Sequence, residues 1–293
     1  MKGEARLIIA MLIFGSIGLF VKNIQFASSE IALFRGIIGS VFLLGASLVV
    51  KQKISWTNIK RNLLLLILSG AAIGFNWIFL FEAYRYTSIA NATVSYYFAP
   101  IFVMLLSPLV LKEKLTMIKV GSIFIAMLGL FLIVQNGSIT NSSDQQLVGI
   151  FYGLIAASLY ASVILINKFI KGLSGFETTL IQLAAASLVL LPYVLIKEDI
   201  NLVSLDVQSL LFIVILGIIH TGFAYFLYFG AIHALKGQTI AVLSYIDPIF
   251  AVMISALFLQ ENMSLIQIFG GILILGATFM SEKIGNQQPV EVD

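Results

Sequence analysis

The amino-acid sequence predicts an all-α polytopic membrane protein with ten transmembrane helices, arranged as two inverted five-helix halves. Three observations carry that prediction: a composition too apolar for water, apolar stretches of bilayer length along the whole chain, and a second half that repeats the first. Of 293 residues, 60% are hydrophobic and 11% charged. The mean hydropathy is +1.04, whereas a soluble domain carries about a quarter charged residues.

A stretch of roughly 18–24 apolar residues crosses about 30 Å of hydrocarbon at about 1.5 Å per residue. Ten such stretches fall at roughly 5–22, 30–50, 62–82, 89–111, 115–135, 147–167, 176–196, 207–229, 238–260 and 264–282. The first has a basic start, as a signal peptide does, but runs on to Val21 and Lys22 without a small-residue cleavage site. It is expected to stay as the first helix. The joins are short, so a single integrated membrane domain is expected: a first repeat over 1–136, a second over 147–283, and a cytoplasmic tail over 284–293.

Charge sets the expected orientation. With the N-terminus inside, the inner segments hold Lys2, Arg6, Lys51, Lys53, Lys60, Arg61, Lys112, Lys114, Lys119, Lys168, Lys171, Lys236 and Lys283, which is 13 of the 17 basic residues. Lys22, Arg85 and Lys197 fall outside, and Arg35 lies within the second stretch. The positive-inside bias therefore predicts both ends in the cytoplasm. The same bias accounts for the pI near 9.0, so nucleic acid is not an expected partner. The absence of cysteine excludes disulfides and thiolate metal sites.

The repeat appears when the sequence is offset by 148 residues, which pairs 81–113 with 229–261 at eleven identical positions out of 33. Chance gives on the order of three in so apolar a composition. Tyr97, Pro100, Ile101, Phe102 and Glu113 match Tyr245, Pro248, Ile249, Phe250 and Glu261. Glu30 and Glu177 align with a one-residue shift. Five spans per half is odd, so the second copy inserts upside down. The charges agree, since Lys112-Glu113-Lys114 becomes Gln260-Glu261-Asn262. Inverted repeats meeting at the midplane are a transporter architecture that rocks for alternating access.

These residues carry a resemblance. PIFVMLLSPLVLKEKLTMIKVGSIFIAMLGLFLIV at 100–134 and PIFAVMISALFLQENMSLIQIFGGILILGATFM at 248–280 both resemble the second half of an EamA repeat, from the drug/metabolite transporter superfamily. FGSIGLFVK at 14–22 and EIALFRG at 30–36 resemble its first half. The resemblance implies a ten-helix bundle around a central cavity lined by helices 1–4 and 6–9, with helices 5 and 10 at the periphery. It implies no one substrate, because the family exports amino acids, amines, sugars, nucleotide-related metabolites and drugs. Four-helix relatives in the superfamily carry an essential glutamate in their first helix; here Phe14-Gly15-Ser16-Ile17-Gly18 holds no acid.

A charge in the bilayer core costs about 2.5–3.5 kcal/mol, so each asks for a reason. His220 and Asp247 both lie about 13–15 Å from the cytoplasmic ends of their helices. They are the candidate substrate-amine or proton site, with a local structural bond to backbone freed by Pro248 as the alternative. Pro100 and Pro248 obey the repeat and are scaffold. Asp247, His220 and Asn76 pair with Ala99, Ala72 and Ala224, so the shared fold does not require them.

Further candidates for substrate contact are Ser16, Trp77, Tyr96, Tyr97, Tyr225, Tyr228, Ser244 and Tyr245. Tyrosines beside an acid can cage an amine, though they also anchor at interfaces and pack bundle cores. Arg35 either meets a carboxylate or snorkels outward. Glu113 and Glu261 are expected to be structural, and the Gly70–Gly74 and Gly149–Gly153 pairs to be close helix contacts.

No metalloprotease, P-loop or nucleophile-elbow motif occurs in the sequence, so neither catalysis nor a cofactor is expected. The expected function is a secondary transporter in the plasma membrane, exporting a small organic metabolite such as an amino acid, amine or drug-like compound. Its expected partners are that solute, the lipid bilayer and a coupling proton, and homodimerisation stays open. The alternatives are an intramembrane lipid-modifying enzyme, which wants clustered acids or histidines, and a membrane scaffold, which needs no asymmetric buried charge.

Overall fold

A computed structural model describes residues 3–49, 51, 54–112, 116–135, 143–198, 206–232, 235, 243–261 and 263–285. Regular structure among them is helical throughout: α1 (Gly3–Gly15), α2 (Ile17–Lys22), α3 (Ser28–Val49), α4 (Trp56–Arg61), α5 (Leu63–Tyr86), α6 (Ile89–Tyr96), α7 (Ala99–Val110), α8 (Met117–Gln135), α9 (Ser143–Asn167), α10 (Gly175–Lys197), α11 (Val207–Ile215), a π-helical segment (Leu216–Phe223), α12 (Ala224–Ile232), α13 (Ile246–Phe258) and α14 (Leu265–Gly285).

Seven runs among the described residues are long and apolar enough to cross a bilayer: Gly3–Lys22, Ser28–Val49, Leu63–Tyr86, Ile89–Val110, Asp144–Asn167, Gly175–Lys197 and Val207–Phe229. Shorter apolar helices occupy Met117–Ile133, Ile246–Phe258 and Leu265–Met280. The surface fits that role. Leu64, Phe124, Leu188 and Leu257 are each about 70% exposed, an apolar belt that water penalises and lipid solvates.

Several helix starts are closed by polar caps, Ser88 on α6 and Asp206 on α11 among them, which satisfies N–H groups left without a helical partner. Ser174 and Glu177 form a capping box on α10, and Glu177 Oε1 also accepts from the Ser55 N–H at 2.8 Å. Glu30 Oε2 accepts from the Ala27 N–H at 2.8 Å. The symmetric glutamates thus do the same local work at α3 and α10.

α5 packs between α9 and α10, α3 against α10 and the π segment, and α1 against α12 and α13. α9 also meets α6 and α7, and α8 pairs with α14. Small residues allow the close approaches. A Cβ on Gly129 would sit 2.5 Å from Gly270 O, and one on Gly270 would sit 2.6 Å from Gly129 O. The two GxxxG pairs are indeed contact points, with Gly70 against Gln182 and Ala185, Gly74 against Leu190, Gly149 against Thr87 and Gly153 against Ser95.

Three interruptions matter for function, because each turns side chains inward from what would otherwise be a continuous rod. α1 gives way to α2 at Ser16, where the Ser16 N–H bonds Ile13 O at 3.1 Å, a tighter turn than the α-helix makes. α6 and α7 are separated at Tyr97–Phe98, just before Pro100. α13 starts just after Tyr245 and carries Pro248 in its first turn. A proline there lacks only a donor that the helix start leaves unused, so the chain restarts a helix instead of bending one. Residues 238–242 of the ninth predicted stretch lie outside the described residues, as do Glu113 and the loop at 136–142.

Candidate functional site in the central cavity

A cavity of about 320 Å³ opens where these interruptions meet. α1 contributes Met11, Phe14 and Gly15, α5 contributes Trp77, Leu80 and Tyr84, and α6 with its break contributes Thr93, Tyr96 and Tyr97. Tyr160, Tyr225, Tyr228, Ser244 and Asp247 complete much of the opposite wall. The charged residues among the described lining are Arg35 and Asp247.

Asp247 sits in the first turn of α13. Its Oδ2 accepts from the Tyr97 hydroxyl at 2.7 Å, so a residue from one interruption is bonded across the cavity to a residue beside its symmetric counterpart. The backbone there is crowded: a Cβ on Gly15 would lie 2.6 Å from Asp247 O and 3.2 Å from Ala251 N. Gly15 therefore lets α1 lie against the start of α13 and holds the carboxylate at the cavity wall.

Arg35 does not snorkel. It is 3% exposed, its Nε donates to Thr221 Oγ1 at 2.7 Å, and its guanidinium lies 4.4 Å from the Trp77 ring centre and 5.7 Å from that of Phe81. Thr221 is presented by the π segment, whose wider turn lets its hydroxyl donate to Leu216 O, five residues back, at 2.9 Å. Cation–π contact with two rings and one hydrogen bond compensate the buried guanidinium.

Two aromatic clusters line the cavity. Phe14 lies 5.3 Å from Tyr225 and 6.3 Å from Tyr228, and Tyr96 lies 5.6 Å from Tyr160 and 6.2 Å from Tyr97, centre to centre. Such clusters offer π-faces to a cation or an aromatic ring and hydroxyls to polar groups.

The cavity brings together Arg35, Trp77, Tyr96, Tyr97, Tyr225, Tyr228, Ser244 and Asp247. Four other sequence candidates lie off its wall. His220 faces Ser16, with Nε2 2.9 Å from Ser16 Oγ, and stacks edge-on against Phe20 at 4.7 Å. Ser16 Oγ also donates to Ile13 O at 2.8 Å, so this pair braces the α1–α2 turn. Asn76 Nδ2 donates to Ala156 O at 2.6 Å, tying α5 to α9. Tyr245 packs its ring 5.7 Å from Phe279 on α14. His220 and Asp247 are thus not joined directly; they flank the Gly15–Ser16 turn from two sides.

Sequence reasoning missed Tyr84, Thr93 and Tyr160. Tyr160 carried a usable signal: it lies inside the predicted span 147–167, away from the interfaces where tyrosines gather. Tyr84 and Thr93 carried none, because both stand near span ends.

Fold and site together define a multi-pass α-helical membrane protein that encloses a solute-sized, aromatic cavity with one acid and one base. The profile of the EamA-like transporter family matches residues 1–135 and again 147–282. An uncharacterized transporter from Bacillus subtilis, YxxF, is 31% identical over 275 residues, covering 92% of this chain and 88% of that protein. Mouse solute carrier family 35 member G1 is 24% identical over 266 residues, 87% of this chain and 71% of its own. A solved crystal structure superposes with a TM-score of 0.66 at 16% identity, over 97% of this chain and 99% of that one, which speaks to the fold alone. The chain belongs to the EamA-like transporter family and is a membrane transporter.

Proposed function

We propose that this transporter is a secondary active exporter of small organic metabolites bearing a cationic amine, with amino acids and amines as its substrate class. The observation that carries this reading is the cavity itself. Asp247 lines it among tyrosines, and Arg35 lines it as well, so one space offers a carboxylate for an amine and a guanidinium for a carboxylate. An amine entering the cavity takes over the bond that the Tyr97 hydroxyl makes to Asp247 and gains the π-faces around it.

The layout we propose is ten spans in two inverted halves, over 1–136 and 147–283. The double family match supports it, and so does the packing, in which α1 meets α12 and α13 of the second half while α9 meets α5, α6 and α7 of the first. Rocking of the halves about their shared cavity then gives alternating access. The excess of basic residues on one set of loops supports cytoplasmic ends, and a plasma-membrane location goes with that orientation. Coupling to protons falls to Asp247 and His220, the first in the cavity and the second bracing the α1–α2 turn.

Purified protein in proteoliposomes is expected to move amines or amino acids against an imposed proton gradient. Normal flux and normal pH dependence in both Asp247→Asn and His220→Gln would remove the assignment of these two residues. Absence of solute flux for every amine and zwitterion tested would favour the scaffold alternative.

A further inference from the structure

A second cavity, of about 680 Å³, lies between the α2–α3 connection and the end of α5, lined by Val21, Lys22, Gln25, Phe26, Tyr84 and Arg85 among others. Tyr84 also lines the central cavity, so one buried aromatic side chain is shared by the two. The second chamber differs in chemistry: its charged lining residues are both cations, where the first pairs one acid with one base.

Neither cation is fully committed. The Arg85 guanidinium donates one hydrogen bond, to Phe26 O. Lys22, at the end of α2, forms an ion pair with Glu261, and the two side chains are 25% and 17% exposed. Glu261 has further partners: its Oε2 accepts from the Ile89 N–H at 2.9 Å and from the Ser255 hydroxyl. Gln260, at φ +54°, turns the chain so that the carboxylate reaches back over these groups. Without Lys22, Glu261 keeps two donors, the Ile89 N–H and the Ser255 hydroxyl, which offset part of the loss of its cation.

We propose that the second chamber is an anion-binding station, in which Lys22 and Arg85 receive the carboxylate of a small organic solute passing Tyr84, and Glu261 occupies Lys22 until it arrives. The station rests on the transport reading above only for the direction of travel. The electrostatics stand by themselves.

The chain contains no cysteine, so a single introduced thiol reports on one place. Gln25→Cys is labelled in the full-length protein with anionic, cationic and neutral methanethiosulfonates, each rate normalised to a free thiol. The anionic reagent is expected to react about tenfold faster than the cationic one, as a local positive potential of about 1 kT per unit charge dictates. Lys22→Gln with Arg85→Gln brings that ratio to one or below, because Glu261 remains, while Glu261→Gln raises it. Benzoate, against chloride at equal ionic strength, slows the anionic reagent in the Gln25→Cys protein, which tests the site even where the double variant fails to fold. A ratio near one in the parent, an unchanged ratio in a folded double variant, or no protection by benzoate overturns the station. In a Thr93→Cys protein, Tyr84→Ala speeds labelling of the central cavity by about fivefold or more, and no change overturns the passage at Tyr84. No step measures flux, so a failed carrier and a failed station remain distinguishable.

Discussion

Tyr97 and Tyr245 stand 148 residues apart in the two copies of one motif, each three residues before a proline, yet their surroundings differ. Tyr97 lies on the cavity wall and donates its hydroxyl to Asp247. Tyr245 lies off that wall, its ring edge-on to Phe279 of α14. Beside them, Ala99 and Asp247 occupy equivalent places and both line the cavity. The backbone device is therefore duplicated: a helix that stops at a tyrosine and restarts under a proline. The polar chemistry has been placed in one copy, and it draws its partner from the other. Burial does not draw this distinction, since Tyr97 and Tyr245 are both half-buried.

The comparison can be broken most forcefully at the acid. Truncating one partner of a buried charged hydrogen bond costs about 2–5 kcal/mol, or roughly 30- to several-thousand-fold. Asp247→Asn is accordingly expected to lower transport kcat/KM by that factor in proteoliposomes, and a loss below threefold would mean that the charge is not used. Moving the acid to the other copy, as Asp247→Ala with Ala99→Asp, is expected to restore nothing beyond Asp247→Ala alone, because Tyr245 is not across the cavity to meet it. Recovery of flux would show that the halves are chemically interchangeable.

The next effect is steric. Gly15→Ala puts a methyl 2.6 Å from a backbone carbonyl, which cannot swing aside, and overpacking of this kind costs about 1–3 kcal/mol. Gly18→Ala meets only the Ile89 side chain, at 2.7 Å, and is expected to cost less. Thermal denaturation of the two variants in detergent gives the order, and equal losses would argue against Gly15 as the contact that seats Asp247.

The smallest effect sharpens the comparison itself. Tyr97→Phe removes a hydroxyl donor to a carboxylate, worth about 1.5–3 kcal/mol when the acceptor is charged. An amine bound at Asp247 would compete for the same oxygen, so the change in KM is expected to stay within about tenfold. Tyr245→Phe is expected to leave KM unaltered. Equal shifts in the two variants would place both tyrosines at the solute.

The sequence made much of the fold legible because lipid imposes so simple a requirement. Apolar runs of bilayer length, a proline after each motif tyrosine, and an excess of lysine at alternate joins can all be read without coordinates. The break at Ser16 was not foreseen as a break, since Phe-Gly-Ser-Ile-Gly is compatible with an uninterrupted membrane helix. The π segment was equally silent: it reveals itself through i to i−5 bonds from Thr221 and through the close approach of Gly217 to Ile38, neither of which has a linear signature. At the site, Asp247 could be singled out because a charge in lipid is anomalous. Helix faces were harder. A membrane helix is apolar all round, so hydrophobic contrast does not say which side looks inward, and Thr93, Tyr84 and Tyr160 emerged only from the packing. His220 shows the converse hazard, for its depth matched that of Asp247 while its ring turned to Ser16 and Phe20.

The central claim is that Asp247 receives the cationic group of the solute. The most direct measurement is a thermal-shift titration of purified protein with amino acids, amines and matched neutral analogues, repeated in Asp247→Asn. One or more amine-bearing compounds are expected to raise the melting temperature of the parent by mass action, the neutral analogue is not, and the shift is expected to disappear in the variant. Stabilisation of equal size in Asp247→Asn, or by the neutral analogue, would contradict it.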